Sequence, residues 1–162
     1  VAVDVGAHKM LMCQAWKSTV PGSFLVSNGM SSMGYGVPST LAASLVMPKR
    51  PVIGIIGDGG FGMMVQELET AVRMGVKPLL VVFCDRSLAV IKVAQQNRKL
   101  PYRGVDFGPV NWADVAKGFG VKSVLVSTLH ELSVATNNWL QKRELTVVAV
   151  PIEEALYRGL TY

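Results

Sequence analysis

Short apolar runs alternate along the chain with stretches whose apolar residues recur at helical spacing. Runs at 1–5, 24–26, 52–57, 79–83, 122–126 and 146–150 read as strands, because they are apolar, brief and bounded by glycine, proline or polar residues. Between them, Met10, Leu11, Ala15 and Trp16 give a helix over 8–18, and the pattern predicts others over 37–47, 61–74, 87–98, 112–118 and 130–142. Pro38 fits the first turn of the second helix, Gly75 the C-terminal cap of the third, and Thr128 the N-cap of the last. The segments 28–36 and 100–110 are too rich in glycine and proline for regular structure, and 151–162 reads as a tail.

Continuous rather than alternating apolar runs imply strands buried from both sides. The fold class is therefore α/β: a parallel sheet of about six strands with helices on both faces. In such sheets ligands sit beyond the carboxyl ends of the strands. Gly6, Gly29, Asp58 and Asp85 all fall at or just after such ends.

Composition narrows the picture. The 162 residues amount to one domain, 50% of them hydrophobic and 17% charged, a balance that suits a face packed on other protein. The net charge is +5, but Lys49-Arg50, Arg98-Lys99 and Lys142-Arg143 are scattered, which argues against nucleic acid as a partner. No apolar run reaches membrane-spanning length, and no charged-then-apolar leader is present. Cys13 and Cys84 show neither metal-ligand nor redox spacing and are expected reduced, in a cytoplasmic protein. The chain opens directly in a strand pattern without Met, so 1–162 is expected to be a fragment of a longer multidomain protein.

The chemistry concentrates at Gly57-Asp58-Gly59-Gly60. Glycines let a phosphate approach main-chain N–H groups, the following helix adds its positive end, and Asp58 offers oxygen to a hard cation. Alone this reads more readily as a plain turn between strand and helix. A second strand ending in Cys84-Asp85, with Ser87 opening the next helix, makes a magnesium-held phosphate site the sharper reading. A generic dinucleotide site fits less well, since no Gly-x-Gly-x-x-Gly follows the first strand.

Gly57-Asp58-Gly59 followed by the paired position Cys84-Asp85 resembles the thiamine diphosphate motif. Val3-Asp4-Val5-Gly6-Ala7-His8, the run from Gly29-Met30-Ser31-Ser32-Met33-Gly34 to Tyr35-Gly36-Val37-Pro38, and Gly104-Val105-Asp106-Phe107-Gly108 resemble the acetolactate synthase-like family. The resemblance covers nearly the whole chain and that family's C-terminal, diphosphate-binding domain. It implies Asp58, Asp85 and the Ser87 carbonyl as ligands of Mg²⁺, and Gly59, Gly60, Gly6 and His8 around the diphosphate. It further implies Met33 as the apolar wedge under the bent cofactor, the Ser31 carbonyl as acceptor for its amino group, and Val90 packed nearby.

The implied activity is decarboxylation and carboligation of small 2-oxo acids. Acetolactate is the leading product, and branched-chain amino acid biosynthesis the setting. Within the superfamily, a glyoxylate carboligase or an aldehyde lyase shares these motifs. The implied partner is a pyrimidine-binding domain, normally of a neighbouring subunit in a homodimer or tetramer. That domain supplies the activating Glu, so no catalytic residue is expected within 1–162 and the piece alone should be inactive. FAD is compatible with the full-length enzyme.

Three departures stand out. Asp85 replaces an amide, Gly60 stands where a hydroxyl is common, and Ala94 occupies a place where biosynthetic acetolactate synthases usually carry Trp. The last argues against the biosynthetic substrate preference. The first, with the missing Glu, leaves a reading of another class open: a non-catalytic assembly partner or domain.

Overall fold

The computed structural model describes residues 1–157, and all six expected strands are present. They are β1 (Ala2–Val3), β2 (Leu25–Val26), β3 (Ile53–Gly57), β4 (Leu79–Cys84), β5 (Lys122–Leu125) and β6 (Thr146–Pro151). Every pairing is parallel, in the order β2-β1-β3-β4-β6-β5. The helices are α1 (Ala7–Ala15), α2 (Gly36–Val46), α3 (Asp58–Met64), α4 (Glu67–Arg73), α5 (Ala89–Asn97), α6 (Trp112–Gly118) and α7 (Leu129–Lys142).

Successive side chains of β4 serve opposite faces, as strand geometry requires. Leu80 and Val82 join Val37, Leu41, Ile56, Phe61, Leu68 and Val147 in one core. Leu79 and Val81 join Val126, Trp139 and Val148 in the other. The α/β expectation of a sheet covered on both sides therefore holds, and Trp139 is a core residue, its Nε1–H donating to the Lys77 carbonyl at 3.0 Å.

Three expectations need correction. The helix expected over 61–74 begins at Asp58 and is split into α3 and α4. Leu68 N–H bonds Val65 O and Glu69 N–H bonds Gln66 O, tight three-residue turns that bend the chain so that both Phe61 and Leu68 reach the core. The strand over 122–126 was expected to be buried on both sides, yet β5 is an edge strand with one neighbour, and its Leu125 is 53% exposed. The tail is not wholly irregular: β6 takes in Pro151, and a 3₁₀ turn over Glu154–Tyr157 buries Tyr157, while 158–162 lie outside the described residues.

Gly75 takes φ 64° past the end of α4, where the left-handed cap was expected. Thr128 caps α7 through a reciprocal box with Glu131. No helix among the described residues is long and apolar enough to cross a membrane.

Candidate cofactor site

The parallel sheet brings the carboxyl ends of β2, β1, β3 and β4 side by side, and the segments that leave them enclose a cavity of about 230 Å³. Gly6, His8, Ser31, Met33, Asp58, Gly59, Gly60, Asp85, Ser87 and Val90 all line it. These are the ten positions singled out from the sequence, contributed by four separate stretches of chain.

Asp58 is the first residue of α3 and only 3% exposed. Its Oδ1 accepts the Gly59 N–H at 2.9 Å and its Oδ2 the Arg86 N–H at 2.8 Å. Burial pushes its carboxyl up to about 6; the Arg86 N–H works against that and the nearby Asp85 carboxylate adds to it. Asp85 Oδ1 in turn accepts from the Ser87 N–H at 2.8 Å and the Ser87 hydroxyl at 3.2 Å. Arg86, between the two acids, takes the left-handed φ of 59° that lets both carboxylates converge.

The far side of this turn is braced. Phe107 N–H donates to the Arg86 carbonyl at 2.7 Å, Leu88 N–H to the Val105 carbonyl at 2.8 Å, and Ser87 bridges Asp106. The segment expected to be irregular over 100–110 thus carries a short strap beneath the acidic turn.

Two glycines explain themselves here. A Cβ at Gly59 would lie 3.1 Å from the Phe107 ring and 3.2 Å from Met33 Cε, so that position is filled from both sides. At Gly60 a Cβ would run into the Asp4 carboxylate. The absent hydroxyl at Gly60 therefore has a local cause: the space is taken by a buried acid.

His8 is 4% exposed, and its Nε2 has no hydrogen-bond partner. Burial lowers its imidazole to about 4, against a backbone hydrogen bond with Asp4 that raises it, so the ring is neutral near pH 7. A buried, unpartnered ring nitrogen beside a cavity is a group waiting for a polar ligand. Cys84 is pushed up to about 12, first by burial and then by the charge of Asp58, which makes it a poor nucleophile. Gln95 is occupied with the Arg103 main chain at 3.2 and 3.4 Å.

Sequence reasoning missed Asp4 as a working residue. It is wholly buried, and its Oδ2 accepts the Gly34 N–H at 3.2 Å while its Oδ1 accepts the Val5 N–H at 2.8 Å. The one available signal was an acid at the end of an otherwise apolar strand.

The donor set suits a hard divalent cation and a phosphate group. Among the described residues no cluster of three or more His, Cys, Asp or Glu side chains is suited to a metal, so a cation here would rest on two carboxylates completed by main-chain and ligand oxygens. The mutual repulsion of Asp58 and Asp85 favours such a cation, and the orphaned His8 Nε2 favours an oxygen-rich ligand beside it.

Residues 4–150 match the family described as thiamine pyrophosphate enzyme, C-terminal TPP binding domain. The acetolactate synthase of Bacillus subtilis (strain 168) is 29% identical over 153 residues, covering 94% of this chain and 27% of that protein. The catabolic acetolactate synthase of Raoultella terrigena is 30% identical over 153 residues, with the same two coverages, 94% and 27%. Pyruvate oxidase of Lactiplantibacillus plantarum is 30% identical over 132 residues, 81% of this chain and 22% of that protein. In structure, benzoylformate decarboxylase from Polynucleobacter necessarius superposes with a TM-score of 0.85 at 25% identity, over 94% of this chain and 30% of that one. The chain spans less than a third of the length of each of these proteins.

Proposed function

We propose, since the chain belongs to the C-terminal TPP-binding domain family of thiamine pyrophosphate enzymes and is acetolactate synthase-like, that it holds thiamine diphosphate through Mg²⁺ in the cavity at Asp58. The observation that carries this reading is the convergence of two mutually repelling carboxylates, Asp58 and Asp85, with an unpartnered buried His8 nitrogen on one cavity.

In this reading Asp58, Asp85 and the Ser87 carbonyl hold the metal. The Gly60 N–H, and that of Gly59 once it leaves Asp58 Oδ1, would face the diphosphate at the start of α3, with Gly6 and His8 opposite. His8, neutral at pH 7, donates or accepts at Nε2 without adding charge. Met33 supports the cofactor's bend, the Ser31 carbonyl orients its amino group, and Val90 excludes water from one wall. The cofactor, when bound, supplies the electron sink for decarboxylation and carbon–carbon bond formation. This chain's residues bind and orient it. The activating Glu belongs to a pyrimidine-binding domain, contributed by a neighbouring subunit of a homodimer or tetramer.

The substrates that fit this reading are small 2-oxo acids, with acetolactate as the leading product. Ala94, in place of a bulky aromatic, separates the substrate pocket from that of biosynthetic relatives. FAD would belong to a domain outside this chain.

Calorimetric titration of the full protein with thiamine diphosphate tests the proposal. Binding is expected only with Mg²⁺ present, and Asp58→Ala should abolish it. Absence of magnesium-dependent binding in the parent protein would replace this reading with that of a non-catalytic assembly domain.

A further inference from the structure

The segment that carries Ser31 and Met33 is held at both ends by residues flanking the β1–α1 junction. At its far end Asp4 accepts the Gly34 N–H at 3.2 Å. At its near end Lys9, on α1, donates from Nζ to the Ser27 carbonyl at 2.6 Å and reaches the Ser31 hydroxyl at 3.3 Å. That hydroxyl also donates to the Ser27 carbonyl at 3.3 Å, so the three groups form one small network.

Ser31 needs such a network. Its φ is 49°, in the left-handed region that a non-glycine residue enters only when its surroundings impose it. A lysine on a surface helix ordinarily extends its ammonium into water. Lys9 instead is half-buried, turns its charge onto a carbonyl and a hydroxyl, and forms no ion pair among the described residues. An ammonium-to-carbonyl bond is of the stronger, charge-assisted kind. Its two acceptors lie 18 and 22 positions away along the chain, so the contact ties α1 to the loop rather than stabilising α1 itself.

We propose that Lys9 is a positioning residue of the cofactor site. Its ammonium fixes the turn over 27–31 and holds Ser31 in its left-handed conformation. The Ser31 carbonyl and the Met33 side chain are thereby set in place before a ligand arrives. The inference rests on the functional reading above. Neighbours on α1 divide the work: His8 faces the cavity while Lys9 sets the wall opposite. Preorganisation of this kind shows in affinity, because a loose loop must be ordered at the moment of binding.

The test uses Lys9→Met, which keeps the aliphatic stem and removes every donor. In the ligand-free full protein, hydrogen exchange of the amides over 27–33 should quicken about tenfold relative to the parent, while the core strands stay protected. Affinity for thiamine diphosphate with Mg²⁺ should fall about tenfold, with the urea unfolding midpoint unchanged. Lys9→Arg, which keeps a charged donor, should recover most of the loss.

Equal exchange over 27–33 in parent and Lys9→Met overturns the proposal, as does equal cofactor affinity. A fall in global stability matching the loss of affinity overturns it too, since Lys9 would then be structural. Should Lys9→Met fail to fold, Lys9→Ala, which likewise removes every donor, gives the same contrast against Lys9→Arg. A parent protein that binds no cofactor overturns the functional reading itself. A parent that binds, beside a Lys9→Met that binds equally, overturns only the role of Lys9.

Discussion

His8 and Asp58 line the same cavity and titrate in opposite senses over overlapping ranges. His8 falls from 6.5 to about 4 on folding, so its contribution is present above 6.5 and is lost as the pH drops toward 4. Asp58 rises from 3.8 to about 6, so without a cation its contribution is present below 3.8 and is lost as the pH climbs through 6. Asp4, also raised by burial, works in the same sense as Asp58. In the ligand-free protein the slopes of His8 and Asp58 oppose each other, so between about pH 4 and 6 the net slope is shallow and keeps the sign of Asp4, with stability falling as the pH rises. Asp58→Asn removes one of them. Its stability should fall more steeply than the parent's as the pH drops from 6.5, by up to about 3 kcal/mol from His8. Urea unfolding of the two proteins across this range checks it, and parallel curves would contradict the assignment. The legible residues were those whose type betrays their chemistry next to a strand end: Asp58, Asp85, Met33, His8. Asp4 and Lys9 were not legible, because an acid or a lysine reads the same whether it faces water or clamps a loop 20 to 30 positions away.

Among the elements, α7 shows how a local signal can be sufficient. Thr128 Oγ1 accepts the Glu131 N–H at 3.1 Å, and Glu131 Oε2 accepts the N–H groups of Ser127 at 2.7 Å and Thr128 at 3.2 Å. Thr128→Ala should cost about 1 kcal/mol, read as a lowered urea midpoint, with cofactor binding untouched because α7 does not line the cavity. The division between α3 and α4 was not legible in the same way. Helical periodicity runs through Val65 and Gln66 unbroken, and only the need to bury Phe61 and Leu68 in one core bends the chain there. The exposure of β5 was hidden for a related reason. A run of apolar residues specifies a strand, but its place at the edge follows from the order of the sheet, which periodicity does not encode.

For the whole molecule, the fold supplies one wall of a site. In the proposed reading Asp58, Asp85 and Ser87 hold the metal, and the residues lining the cavity include no Glu that could act as the activating acid. A purified protein made of these 162 residues alone should therefore show no carboligase turnover at saturating cofactor and Mg²⁺. Product formation by such a preparation, verified free of host enzyme, would contradict this. The sheet order bears as well on how the molecule comes into being. Residues 79–84 of β4 pair with residues 146–151 of β6, the last of the described strands, which lies between β4 and β5. Until β6 emerges from the ribosome, the apolar Leu79, Leu80, Val81 and Val82 present an open edge to the cell. Closure across so long a stretch of chain is slow. Any shortened form ending before Thr146 would keep that edge open, and its purified product should aggregate where the full chain stays dispersed.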